Sequence, residues 1–114
     1  MKSLALCGLC VAVLTAGCAP MPHELRQRGI AEFQVGQHAQ ARKLLRQCLD
    51  QTPADAHALY YMGRVMHVRG AYEMAMFYYQ GCLEVDPSFD IARVWLARAQ
   101  TAAGPSGDKL RFLP

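Results

Sequence analysis

Three observations on the 114-residue chain predict an all-α fold of stacked helix pairs. Residues 23–53 slide without a gap onto 57–87 at an offset of 34, pairing His23 with His57, Leu25 with Leu59, Gly29 with Gly63 and Gly36 with Gly70. The same offset pairs Ala41 with Ala75, Cys48 with Cys82, Leu49 with Leu83 and Pro53 with Pro87. Each copy carries two apolar stripes at helical steps with a glycine between them. A third copy begins, with Ala92 on Ala58, Leu96 on Met62, Ala97 on Gly63 and Gly104 on Gly70, and Pro105 then interrupts it. A period of this length marks a unit that buries its apolar face only against its neighbours.

The elements follow in order. Register with the second copy predicts a helix over 22–35. Ala41, Leu44, Leu45, Cys48 and Leu49 then give the stripe of a helix over 38–51, with Gly36 at the turn before it. Leu59, Met62, Gly63 and Met66 repeat at steps of three, one and three, which predicts a helix over 55–69. Gly70 stops it, and Ala75, Tyr78, Tyr79, Cys82 and Leu83 carry the next over 72–85. Pro53 and Pro87 end each pair, because proline lacks an amide donor and restrains the residue before it. Asp55 and Ser88 are placed to cap the helices that follow. The last helix is expected over 89–103. After it, Pro105-Ser106-Gly107 reads as a flexible break and 105–114 as a tail, whose Phe112 and Leu113 either fold back or fray.

Lys plus Arg number 12 against 9 Asp plus Glu, a formal charge of +3. The basic residues form no cluster, so a nucleic-acid partner is not expected. One small domain at most fits in this length, and no large enzyme with a deep cleft. Met1-Lys2, the uncharged apolar run Leu4 to Leu14 and the small residues Thr15-Ala16-Gly17 have the layout of an export signal. Eleven apolar residues are too few to span a bilayer, which takes about 20. Leu14-Thr15-Ala16-Gly17-Cys18 resembles the lipobox of bacterial lipoproteins. The resemblance implies a signal peptide over 1–17, an acylated Cys18 as mature N-terminus and a linker over 18–21. Ala19 in place of aspartate implies delivery to the outer membrane, facing the periplasm.

Of the five cysteines, Cys7 and Cys10 lie in the signal and Cys18 is assigned to lipid. Cys48 and Cys82 occupy equivalent places one repeat apart, too distant for a disulfide, and are expected to be buried thiols. His23, His38, His57 and His67 have no metal-ligand spacing, and no Gly-x-Ser-x-Gly or phosphate-binding glycine loop is present. Neither an enzyme nor a bound cofactor or metal is expected.

Leu59, Met62-Gly63, Met66, Gly70, Tyr72, Ala75, Tyr79, Cys82 and Pro87 give the second unit the pattern of large, small and proline residues that resembles the tetratricopeptide repeat (TPR). Arg28 and His38 depart from that pattern in the first unit, at places usually apolar and aromatic. The resemblance covers 22–104, with repeats over about 22–55 and 56–89 and a capping helix over 90–104. It implies a short right-handed α-solenoid in which Gly63 and Ala75 stand where two helices approach closely. It also implies a concave face lined by the first helix of each pair: His23, Arg26, Gln27, Ile30, Phe33 and Gln34; then His57, Tyr60, Tyr61, Arg64, His67 and Val68; then Ile91, Val94, Trp95 and Arg98.

Aromatic and arginine side chains dominate binding hot spots, so a protein or peptide partner in the cell envelope is the leading expectation. Tyr60, Tyr61 and Trp95 are equally consistent with packing between helices. Some TPR proteins clamp a chaperone's terminal carboxylate with Lys, Asn and Arg. The aligned residues here are Arg26, Ile30, Tyr61, Ile91 and Trp95, which lack the asparagines and do not support that mode. Two other readings remain at this level: a self-associating lipoprotein subunit that uses excess apolar residues at Met76, Phe77 and Tyr78, and a small-ligand or haem binder.

Overall fold

The period of 34 reappears as backbone geometry. Gly36, Gly70 and Gly104 all have φ near +80°, a conformation that side chains with a Cβ resist. Gly36 and Gly70 close helix ends in the same way. Their own N–H groups donate to the carbonyls of Phe33 and His67, and the next residues, Gln37 and Ala71, reach back to Glu32 and Met66. The last carbonyls of each helix are thereby satisfied.

The computed structural model describes residues 19–112, with side chains described to Gly104. Residues 1–18, where the signal peptide and the acylated Cys18 are expected, and residues 113–114 lie outside the described residues. Five helices run α1 (Pro22–Gln34), α2 (His38–Gln51), α3 (Ala56–Val68), α4 (Tyr72–Val85) and α5 (Asp90–Phe112), with no strand among the described residues. Each packs on its sequence neighbour, and α1, α3 and α5 also touch in turn. The first helices of the units therefore form one continuous row, with α2 and α4 in a second layer.

Close approach within each pair is set by one glycine facing one large residue. A Cβ at Gly29 would lie 2.8 Å from Leu45 Cγ, and one at Gly63 would lie 2.5 Å from Tyr79 Cδ1. Leu45 and Tyr79 are fully buried equivalents one period apart, as are Ala41 and Ala75. Position 97, the third equivalent, is an exposed alanine. The faces of α5 that correspond to Leu59 and Met66 carry Arg93 and Gln100.

Two expectations change. Ser88 does not cap α5; its amide and hydroxyl donate to Asp86 Oδ1 at 3.1 and 2.6 Å, which holds that carboxyl below its usual range. Arg28 and His38 leave α1 and α2 regular. Arg28 is exposed, while the His38 ring packs 5.2 Å from Phe33. Beyond Gly104, where a loose tail was expected, the backbone turns and is helical again to Phe112. Gly104 performs the turn of a third unit, and proline just after it is compatible with a helix start because the first turn has no use for its amide.

Cys48 and Cys82 are free and fully buried. Burial, reinforced by Asp55 at one and Asp86 at the other, pushes both thiols up to about 11. Since the thiolate is the nucleophile, iodoacetamide at pH 8 is expected to modify these two in the folded protein at least about 100-fold more slowly than a free thiol. Peptide mass mapping before and after denaturation checks this; equal rates in both states would place the thiols in solvent. The same shift sets a direction for stability. It is undiminished below the ordinary thiol value of about 9 and falls as pH rises toward 11.

Candidate partner-binding face

Arg64 is the hub of the continuous helix row. It projects from α3 with its guanidinium carbon 3.7 Å from the ring centre of Trp95 on α5 and 5.3 Å from that of Phe33 on α1. Its Nη1 donates to the Tyr60 hydroxyl at 2.9 Å. Arg98, one period later, lies 4.7 Å from the same Trp95 ring. Planar guanidinium stacking on aromatic faces is worth about 0.5–2 kcal/mol per contact, more where water is excluded. Three helices are thus tied together along one face by one cation.

Aromatic contacts continue the row. Phe33 meets Tyr61 edge-on at 5.7 Å, Tyr61 meets Tyr60 at 5.0 Å, and His67 meets Trp95 at 5.1 Å with rings perpendicular. His67 is held below its usual pKa first by burial and then by the charges of Arg64 and Arg98. It is therefore neutral at pH 7, in a locally positive field.

The predicted face is thereby divided. Phe33, Tyr61, Arg64, His67, Trp95 and Arg98 come together. Tyr60 is 5% exposed and forms the floor, its ring 5.3 Å from Phe89. His57 is exposed and packs on Phe89 at 5.0 Å, while Ile30 is half-buried. Val94 and Ile91 present 44% and 47% of their surface to solvent next to Trp95. His23, Gln27, Gln34 and Val68 are exposed.

Arg26 is the clear departure from a groove cation. Its Nη1 is paired with Asp55 Oδ2 at 2.9 Å, and that side chain is only 6% exposed. Asp55 also accepts from the Ala58 amide at 3.1 Å, capping α3 as expected, and from the Cys48 thiol at 3.6 Å. The trio is a joint between the units. At the next joint the equivalents of Arg26 and Asp55 are Tyr60 and Phe89, so an aromatic pair replaces an ionic one. A repeat-internal exchange of both partners is the sequence signal that would have revealed it.

A recess lined by Gly70, Ala71, Tyr72, Glu73, Met74, Ala102 and Ala103 shares none of the row's side chains. Among the described residues no three His, Cys, Asp or Glu side chains cluster to hold a metal, and no helix is long and apolar enough to cross a membrane.

Helix pairs stacked in order with a continuous inner row have the arrangement of a short α-solenoid. A profile described as tetratricopeptide repeat matches residues 22–65. Among 31 matching chains of solved structures, the crystal structure of MamA protein superposes with a TM-score of 0.72 at 20% identity. The match covers 80% of this chain and 50% of that one, so this chain spans half the length of that structure. No curated protein matches the sequence.

Proposed function

We propose that the protein is a membrane-anchored TPR interaction module of the bacterial envelope, which holds a segment of a partner protein against the concave face as an adaptor or assembly factor. The observation that carries this reading is the convergence of Phe33, Tyr61, Arg64 and Trp95, drawn from three helices onto one face. Large aromatic surface beside stacked arginine is the composition of binding hot spots. The anchor rests on sequence: the lipobox-like Leu14-Thr15-Ala16-Gly17-Cys18 supports acylation of Cys18, and Ala19 supports the outer membrane. Several acyl chains give a stable attachment, at about 0.8 kcal/mol per buried methylene.

A second reading, self-association, is favoured by α4. Phe77 is 64% exposed, and Met74 and Val85 lie exposed on the same helix, while Met76 and Tyr78 are half-buried against the core. One experiment separates the two. Covalent crosslinking in intact cells, followed by pull-down from detergent-solubilised envelope, is expected to recover an envelope protein with wild type. Recovery is expected to fall at least about ten-fold with the Arg64→Glu, Tyr61→Ala double variant, and with Cys18→Ser the complex should leave the membrane fraction. A crosslinked species containing only this chain, unchanged by the double variant, would replace the adaptor reading with self-assembly.

A further inference from the structure

The charges around Trp95 are one-sided. Arg64 and Arg98 both stack on one indole, and neither forms an ion pair with a carboxylate among the described residues. Arg64 Nε is buried and has no hydrogen-bond partner. Helix α3 contains no acidic residue at all, Asp90 on α5 is taken by Arg93, and Asp55 by Arg26. Like charges brought together without a counter-charge repel, and stacking on an indole offsets only part of that. Apolar surface adjoins the charges: Ile91 and Val94 lie one turn before Trp95 and Arg98 on the same side of α5 and are nearly half exposed.

We propose that this face selects a peptide segment of a partner protein in which a side-chain carboxylate stands beside apolar residues, the carboxylate bridging Arg64 and Arg98 at Trp95 and the apolar side chains covering Ile91 and Val94. The proposal rests on the concave-face reading above and narrows it to one class of ligand. Arginine presents a planar fork that matches a carboxylate. With the carboxylate in place the repulsion between the two guanidiniums is neutralised and their stacking on the indole is kept. Positive potential at the same place disfavours basic segments, so the site discriminates by charge as well as by contact.

Trp95 is the sole tryptophan of the chain, so its fluorescence reports directly on this site. The protein, purified from membranes in neutral detergent, is titrated with three otherwise identical peptides of about twelve residues that alternate leucine with Glu, Gln or Lys. The Glu peptide is expected to alter Trp95 emission and to bind at least about ten-fold more tightly than the Gln peptide, with the advantage shrinking as salt is raised. The Lys peptide should bind weakest. Arg98→Gln, at an exposed position, should remove most of the advantage for Glu while leaving the helical circular dichroism spectrum of the folded protein unchanged. Val94→Ser should weaken the Glu and Gln peptides alike. Equal binding of the Glu and Gln peptides, or an unchanged Glu peptide affinity in Arg98→Gln, would overturn the charge selection and leave a peptide groove. Failure of all three peptides with a protein that still crosslinks its envelope partner would overturn this ligand class alone. Failure of both would take the concave-face reading with it.

Discussion

Tyr79→Ala is expected to destabilise the fold by about 3–5 kcal/mol, the range for emptying a buried aromatic site. A small domain is stable by only about 5–15 kcal/mol in total, so the variant should be largely unfolded at growth temperature. Tyr79 is the largest of the fully buried side chains. Its ring fills the space that Gly63 leaves open between α3 and α4, and it also lies against Tyr60 and His67. Urea unfolding followed by circular dichroism measures the loss. Tyr79→Phe separates volume from polarity. The hydroxyl is buried without a hydrogen-bond partner, and burial drives its pKa far above the usual value. Removing it should therefore change stability by no more than about 1 kcal/mol, in the stabilising direction. Gly63→Leu should cost about 1–3 kcal/mol by overpacking. Combining it with Tyr79→Ala should recover part of both losses, because the new side chain occupies the vacated space. Strictly additive losses, or a Tyr79→Phe variant clearly less stable than wild type, would contradict this packing.

The glycine of each close approach was legible in the sequence because it recurs with the period, whereas the residue facing it, Leu45 in one unit and Tyr79 in the next, does not recur. The offset of 34 locates Gly29, Gly63, Ala41, Ala75 and the two turn glycines, and these fix where helices begin, end and touch. Every helix start and stop up to Tyr72–Val85 lies within one residue of the expected place. Periodicity is least informative where the copies differ. Ser88 sits near a helix start with the right chemistry for a cap, but Asp86 two residues earlier takes its amide and hydroxyl first. The third unit was read as ending at Pro105, since a proline inside an apolar pattern usually breaks it. The positive φ of Gly104 shows that the proline instead follows a turn.

The face of α1, α3 and α5 was legible as a face but not as a set of contacts. A helical wheel assigns a residue to a side and says nothing of which neighbour covers it. Tyr60 and Val94 are equivalent in register, yet Tyr60 is floor because Phe89 at the start of α5 lies over its ring, while Val94 stays 44% exposed. Arg26 is assigned to the open face for the same reason. Its partner lies 29 residues away, five short of the period, and appears only in one copy.

That joint gives the second large effect. Asp55→Ala is expected to destabilise the protein by about 2–3 kcal/mol, combining the loss of a helix cap, about 1 kcal/mol, with the loss of Arg26's counter-charge. The ionic part falls below the 3–5 kcal/mol of a fully buried pair because the Arg26 side chain is 30% exposed and reaches water when released. Asp55→Asn keeps an oxygen for the Ala58 amide and should lose about half as much. Chemical denaturation measures both, and hydrogen exchange should show α1 and α2 opening before α3 and α4, since the joint is their link to the rest. The second joint supplies a stricter test. There Tyr60 and Phe89 fill the places of Arg26 and Asp55 with two rings 5.3 Å apart. If the joints are interchangeable solutions to one packing problem, Asp55→Phe and Arg26→Tyr should each destabilise alone, and the double variant should recover at least about half of the summed loss. Each single variant leaves one member of a pair without its partner; the double variant restores a pair, though without the cap. No recovery would mean that the cap and the charge, rather than contact between units, hold the first joint.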